Sequence, residues 1–143
     1  MLVGACVVCT EYTNRCAELF PGNEATLNFY LSNFTDRQSL SNAVRNIAYG
    51  DGHTNTTGGL RLMRTAIFNG SYGDRPNIPN VAILITDGIP TREVENLTDE
   101  VELIKDLGIT ILGVGVTDRV SESAARCDAF FSLSSTVTKH NLV

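Results

Sequence analysis

Two side chains stand out as groups that could do chemistry, Thr54 and Asp87. Asp87 comes just after the apolar run Val81–Ile85 and is followed by glycine, so its carboxylate is expected at the end of a buried strand. Thr54 lies in a loop rich in glycine and hydroxyl groups, 50–59, that leads into a predicted helix. Hydroxyl and carboxylate oxygens are ligands that suit Mg²⁺ and Mn²⁺. The pair therefore indicates a metal site, unless Asp87 only begins a turn and Thr54 only caps the helix.

The elements that must position these loops alternate between strand and helix. Continuous apolar runs and one alternating segment predict strands at 2–9, 26–31, 81–85 and 109–116, with a short one at 129–133. Apolar residues at helical spacing predict helices from Asp36 to about 49, from 60 to 67 and from 99 to 107, with a short one at 118–126. Gly108 is expected to stop the third helix. The segment 10–25 is interpreted as a polar connection with a turn at Pro21-Gly22, and the acidic run 93–102 as a solvated face.

This alternation predicts an α/β fold, a single domain over 1–143 with an open, mostly parallel sheet flanked by helices. Strand 81–85 is expected at its centre, covered by helices on both faces. In such sheets ligands bind at the carboxyl ends of the strands. That rule points to the loop after Ile85 and to the neighbouring loop that carries Thr54.

Composition argues against several functional classes. The 143 residues carry a net charge of −5 without a Lys/Arg cluster, which is unlike a nucleic-acid binder. No apolar stretch is long enough to span a membrane. The glycine-rich loop lacks the Gly-Lys-[Ser/Thr] of a phosphate-binding loop, and no glycine fingerprint follows the first strand, so an enzyme is not predicted.

Cysteines and glycosylation motifs bear on the compartment. The four cysteines allow three pairings, and Cys9 and Cys16 either close a hairpin or stay free; the full set is Cys6, Cys9, Cys16 and Cys127. Four Asn-x-[Ser/Thr] motifs favour an extracellular, secreted protein; they begin at Asn33, Asn55, Asn69 and Asn96. A sugar on Asn55 would obstruct its neighbour Thr54, so we expect Asn55 to be unmodified if the site works.

Three segments in order resemble the von Willebrand factor A (VWA) domain, in the form found in collagen VI chains, matrilins and related matrix proteins. They are Gly-His-Thr-Asn-Thr at 52–56, the run 75–88 that ends in Thr-Asp-Gly, and Leu-Gly-Ile-Thr-Ile-Leu-Gly-Val-Gly-Val at 107–116. The resemblance extends from about Thr26 onward. It implies a Rossmann-like fold and a metal-ion-dependent adhesion site of three loops. The family's threonine and aspartate loops match Thr54 and Asp87, and a partner's acidic side chain often completes the metal's coordination.

The chain departs from this family at its start. No Asp-x-Ser-x-Ser is present there, and 1–9 resembles the family's second strand, so we expect the first, central strand to be missing. Strands 3–8 and 81–85 must then pair directly or leave backbone groups unpaired. The segment 138–143 resembles the beginning of the last helix. We therefore expect a partial domain with half a metal site, which binds Mg²⁺ or Mn²⁺ weakly or not at all.

The function expected from the resemblance is an extracellular protein-binding module of adhesion or matrix interaction, with no enzymatic activity. Its partner would be a protein such as collagen or another matrix component. The alternative is a metal-independent structural or assembly module of a matrix protein.

Overall fold

The computed structural model describes residues 5–10, 16–21, 24–47, 53–86, 90–115 and 138–139. The strands are β1 (Ala5–Thr10), β2 (Cys16–Pro21), β3 (Ala25–Phe29), β4 (Asn80–Thr86), β5 (Thr110–Gly115) and β6 (Thr138–Lys139). The helices are α1 (Arg37–Arg45), α2 (Thr56–Leu62), which continues as a π-helical turn (Met63–Ile67), and α3 (Leu97–Asp106), which follows a 3₁₀ turn (Val94–Asn96). Over these ranges no helix combines the length and the apolar character needed to cross a bilayer.

The strands form one sheet in the order β3-β2-β1-β4-β5-β6. β4, β5 and β6 run parallel, whereas β1 is antiparallel to both β4 and β2, and β3 is antiparallel to β2. The predicted α/β class is confirmed, with a larger antiparallel share than the sequence indicates. Of the two outcomes expected for strands 3–8 and 81–85, the structure shows direct pairing, in register from Ala5↔Ile85 to Thr10↔Asn80.

Two sequence-based predictions of secondary structure were wrong. The segment 10–25, interpreted as a polar connection, contains strand β2, whose backbone pairs with β1 on one side and β3 on the other. The segment 138–143, expected to begin a helix, starts with the two-residue strand β6, which pairs with β5. Both strands are specified by distant partners rather than by local composition. The helix predicted at 118–126 and the strand predicted at 129–133 lie outside the described residues.

The core lies between the sheet and the pair α2 and α3. On β4 the side chains of Ala82 and Leu84 are buried, while Val81, Ile83 and Ile85 on the other face are half-buried. Within the described part of the chain the second face is therefore less covered than the sequence predicts. The core cluster comprises Leu31, Leu60, Met63, Ile67, Phe68, Ala82, Leu84, Leu97, Val101, Ile104, Ile109 and Ile111.

Helix ends follow the predicted signals. Asp36 caps α1, because its Oδ1 accepts a hydrogen bond of 2.9 Å from the N–H of Ser39, and the bonds from Ser39 lower the pKa of Asp36. Gly108, with a φ of +71°, ends α3. The N–H groups of Gly108 and Ile109 donate to carbonyls of the last turn at 2.8 and 3.3 Å, the pattern of a Schellman motif. Both predicted boundaries are confirmed.

Candidate functional site

Helix α2 begins at Thr56, two residues after Thr54. Its N-cap is Asn55, whose Oδ1 accepts a hydrogen bond of 2.7 Å from the backbone N–H of Gly58. A Cβ at position 58 would lie 2.8 Å from Asn55 Nδ2, so a larger residue there would force the capping side chain to shift. The alternative interpretation that Thr54 caps this helix is therefore wrong, because Asn55 performs that function.

The backbone of Thr54 is tied to the segment that follows β4. Its N–H donates to Thr91 Oγ1 at 3.1 Å. Its carbonyl oxygen accepts from the N–H groups of Thr91, at 2.9 Å, and of Arg92, at 3.3 Å. We call these three bonds the Thr54–Thr91 clasp. Because β4 ends at Thr86, the clasp lies at the carboxyl end of that strand, where the sequence predicts the site.

Glu93 makes a second connection between the same two segments. Its Oε1 accepts from Asn55 Nδ2 at 2.8 Å, its Oε2 from Arg61 Nη1 at 2.8 Å, and its backbone carbonyl from Thr57 Oγ1 at 2.9 Å. The bonds from Asn55 and then Arg61 lower the pKa of Glu93, so the carboxylate is ionised at neutral pH. Glu93 has a φ of +48°, a left-handed conformation that costs a residue with a Cβ about 1–2 kcal/mol. The three hydrogen bonds offset that cost.

A buried carboxylate on α3 joins this helix to the π-helical turn that continues α2. Glu100 is 4% exposed and accepts two hydrogen bonds from Arg64, Nε to Oε1 at 2.6 Å and Nη2 to Oε2 at 3.2 Å. Arg61 Nε lies 3.6 Å from Glu100 Oε2, so Arg61 reaches both Glu93 and Glu100. The hydrogen bonds to Glu100 raise the pKa of Arg64. A carboxylate at this depth is stable only when it is paired, so the ion pairs fix the position of α3.

Of the two residues predicted to hold a metal, the structure describes Thr54, which is half-buried, and Asp87 lies outside the described residues. Thr91, four residues after Asp87, is in direct contact with Thr54. Within the described ranges no group of three or more His, Cys, Asp or Glu side chains could hold a metal ion. The carboxylate joined to these loops, Glu93, is already bound by Asn55 and Arg61. The assignment of Thr54 and Asp87 as metal ligands therefore stays a prediction, because the structure describes only the first of the two.

A cleft of about 300 Å³ opens beside the contact of Asn55 with Glu93, between the start of β3 and helix α2. Its walls combine polar side chains with the apolar Ala25 and Leu62, and the polar ones belong to Glu24, Asn55, Arg61, Thr65 and Glu93. The charged groups on the α2 side, Arg61 and Glu93, are paired with each other.

Sequence reasoning missed Thr91, Glu93 and Glu100. The run 93–102 was expected to be a solvated face, and this is wrong for two of its members, since Glu93 is held by three partners and Glu100 is buried. No local signal marks them, because every partner is more than thirty residues away along the chain. The buried Asn55 does have a local signal, since asparagine is a preferred N-cap before a helix.

The sequence matches the model of the von Willebrand factor type A domain family over residues 12–129, a match that begins after β1. The chain is 36% identical over 95 residues to cuticlin-6 of Caenorhabditis elegans, covering 66% of this chain and 16% of that protein. It is 33% identical over 94 residues to chicken (Gallus gallus) matrilin-1, covering 66% and 18% of the two chains. It thus spans less than a fifth of the length of these two relatives.

Solved structures from the mussel byssus show the same fold. Proximal thread matrix protein 1 superposes with a TM-score of 0.74 at 19% identity, over 86% of this chain and 32% of that one. A second structure of that protein, with a zinc-occupied MIDAS motif, gives a TM-score of 0.70 at 20% identity, over 86% of this chain and 29% of that one.

Proposed function

The chain belongs to the von Willebrand factor type A domain family, and from that premise we propose that it is an extracellular protein-binding module of a matrix or adhesion protein. The partner would dock at the end of the sheet where β4 finishes. The names of similar proteins, among them matrilin-1 and a thread matrix protein, support a binding role rather than an enzymatic one. The family's adhesion loops, matched here by the loops of Thr54 and Asp87, give the docking end.

The observation that carries this proposal is the Thr54–Thr91 clasp. Two loops that are distant in sequence are held together at the carboxyl end of β4 by hydrogen bonds of 2.9 to 3.3 Å. A binding surface made of loops costs less entropy on association when the loops are already fixed. The clasp and the Glu93 contacts supply that order for the Thr54 side of the surface.

We propose further that Thr54 and Asp87 contribute oxygen ligands to a Mg²⁺ or Mn²⁺ ion at this end. A bound cation would supply positive charge for an acidic side chain of the partner. Two protein ligands are few for Mg²⁺, which favours six-coordinate oxygen geometry. Weak binding by this chain is therefore expected, with collagen or another matrix component as the protein partner. The mussel protein, which has this fold, holds zinc in its MIDAS (metal-ion-dependent adhesion site) motif, and this supports a cation at the same end of the sheet here.

A metal-independent assembly module is the second candidate. It is favoured by the fact that the Thr54 and Thr91 segments are joined by the protein's own hydrogen bonds, with Glu93 neutralised by Arg61. A surface ordered in this way can bind a matrix partner without a cation.

Binding of the 143-residue chain to immobilised collagen, with Mg²⁺, with Mn²⁺ and with chelator, separates the two candidates. Under the metal-dependent proposal, chelator and Asp87→Ala each abolish binding, and Thr54→Ala weakens it. Asp106→Ala, which removes an exposed carboxylate at the far end of α3, is the matched control and should bind as the parent does.

Each outcome of that assay has a distinct meaning. Binding that survives both chelator and Asp87→Ala would remove the metal from the proposal and favour the assembly module. Absence of binding to collagen under every condition would remove collagen as the partner. Sub-micromolar Mg²⁺ affinity in calorimetry would contradict the half-site, because two ligands should leave the affinity much weaker than in a complete site.

An extracellular location also supports a disulfide in the hairpin of β1 and β2. Cys9 and Cys16 are directly opposite each other in the antiparallel register. Opposite residues in such pairs have Cα atoms about 4.5–5.5 Å apart, within the range that a disulfide spans. We propose that these two cysteines are linked in the secreted protein. Peptide mapping without reductant tests this, and a free Cys9 thiol in secreted material would contradict it.

A further inference from the structure

The asparagines of the four glycosylation motifs differ in their exposure to solvent. Asn55 is 5% exposed, whereas Asn33, Asn69 and Asn96 are exposed. We propose that the folded domain carries an N-linked glycan at Asn96 and excludes one at Asn55, because the Asn55 amide is a structural part of the domain. This inference rests on the proposed extracellular location and on no property of the docking surface.

Both polar atoms of the Asn55 side chain are occupied by the protein. Oδ1 accepts the N–H of Gly58 at 2.7 Å, and Nδ2 donates to Glu93 Oε1 at 2.8 Å. The third residue of the motif, Thr57, is fully buried, and its hydroxyl donates to the Glu93 carbonyl. Asn55 lines the cleft beside α2, but the neighbouring part of the cleft wall is formed by the Arg61–Glu93 ion pair. A sugar on Nδ2 would have to displace that pair to leave the cleft.

The motif at Asn96 presents the opposite situation. Asn96 precedes α3, its side chain makes no capping hydrogen bond, and Thr98 is exposed beside it. Only Leu97, between them, is buried in the core. A glycan on Asn96 therefore extends into solvent without breaking any contact that the structure shows.

The covalent step fixes which atom must be accessible. Nδ2 of the asparagine forms a bond to the anomeric carbon of a lipid-linked oligosaccharide pyrophosphate. The bond from that carbon to the pyrophosphate oxygen breaks, one amide proton passes to a base of the transferase, and the lipid pyrophosphate leaves. The product keeps one N–H on Nδ2 but carries a bulky group there. At Asn55 that group would occupy space now filled by Glu93 and Arg61.

Because sugars are added while the chain enters the secretory pathway, modification of Asn55 and folding compete for the same amide. A chain modified at Asn55 keeps the capping oxygen and one N–H, but its sugar takes the space of Glu93 and Arg61, so we expect the modified chain not to reach the folded arrangement of α2 and Glu93. Asn69 is exposed, although its Nδ2 donates to the Thr65 carbonyl at 2.9 Å and its Oδ1 accepts from the N–H of Ser71 at 3.0 Å. Exposure therefore separates the two remaining motifs, at Asn33 and Asn69, from the buried Asn55. They flank the Tyr30–Tyr72 stack, beyond the carboxyl end of β3 and so at the end of the sheet away from Thr54.

Site mapping in secreted material tests the proposal. The 143-residue chain is directed into the secretory pathway of cultured mammalian cells by a cleavable leader. Secreted protein is treated with peptide N-glycosidase in heavy-oxygen water, and each motif is scored by mass spectrometry. We expect the label at position 96 and none at position 55. Thr98→Ala, which leaves Asn96 in place, should lose the label at 96 without reducing secretion.

A glycan at Asn55 in secreted, protease-resistant chain would overturn the proposal, and so would an unmodified Asn96 in the same material. Chain retained in the cell is mapped in the same way after native extraction and limited proteolysis, so that poor secretion does not hide the answer. There we expect any Asn55 glycan only in the protease-sensitive fraction. Failure of the chain to bind collagen or a cation would leave this map unchanged, which separates this inference from the proposed binding function.

Discussion

Replacement of Asn55 by alanine should destabilise the domain by about 2 kcal/mol in free energy of unfolding, because one side chain makes two separable contacts. Loss of the cap on α2 should cost about 1 kcal/mol. Loss of the amide donor to the ionised Glu93 carboxylate adds about 1 kcal/mol, below the usual range for a charged partner since Glu93 is 36% exposed and water compensates in part.

Two further conditions separate the contributions. Asn55→Ser keeps a capping oxygen but is too short to replace the amide, so it should lose only about 1 kcal/mol. The Glu93 contribution should also depend on pH. Because the folded pKa of Glu93 lies below its ordinary value of 4.5, this stability is present above that value and is lost as pH falls through the folded pKa. As the pH falls below the folded pKa of Glu93, the difference between the parent chain and Asn55→Ala should therefore shrink toward the capping contribution alone.

The measurement is urea unfolding of the unglycosylated chain, made in bacteria, at neutral and acidic pH. A loss below about 0.5 kcal/mol for Asn55→Ala would refute the assigned roles, since that is the range of an ordinary surface substitution. Equal losses for the serine and alanine variants would show that the contact with Glu93 adds nothing. A loss that does not change with pH would show that the ionised form of Glu93 is not the partner that matters.

Further substitutions test the Glu100 ion pairs, which hold α3, and the close packing at Gly73. Glu100→Gln should cost about 2 kcal/mol, because it leaves a partly buried arginine without its charged partner, while Glu102→Gln, on the exposed side of α3, should be neutral by the same urea titration. Gly73→Ala should lower the melting temperature clearly more than Gly70→Ala. Both glycines have positive φ, +98° and +79°, but only at Gly73 would the new Cβ meet backbone, 2.7 Å from the N of Ser32. Equal effects of the two glycine substitutions in differential scanning calorimetry would show that space at Gly73 does not matter.

The fixed loops bear on how the module would bind. The clasp orders the backbone of Thr54 on one side, and the Glu93 contacts order the beginning of α2 on the other. A partner that docks against this end meets a surface whose main-chain positions are already set. We expect Thr91→Val, which removes the bond to Oγ1 and leaves the two main-chain bonds of the clasp, to weaken partner binding more than it lowers stability, because Thr91 is exposed and contributes little to the core.

The sequence by itself determined the features that depend on neighbouring residues. Continuous apolar runs identified β1, β4 and β5, since a strand buried in a sheet needs no polar alternation. Asp36 and Gly108 marked helix ends because capping is decided within a single turn. The order of motifs around Thr54 and Asp87 was enough to identify the family.

Tertiary structure alone decided what depends on distant partners. The apolar residues of β1 suit a parallel or an antiparallel neighbour, so they do not determine its direction relative to β4. Strand β2 forms because β1 and β3 pair with its backbone on both edges. The same is true of the site. An acidic side chain on a helix looks solvated from its neighbours along the chain, and only the fold brings Arg61 and Arg64 from another helix to bury Glu100 and hold Glu93. The free energy of a charge depends on what surrounds it in space, and spacing along the chain does not record that.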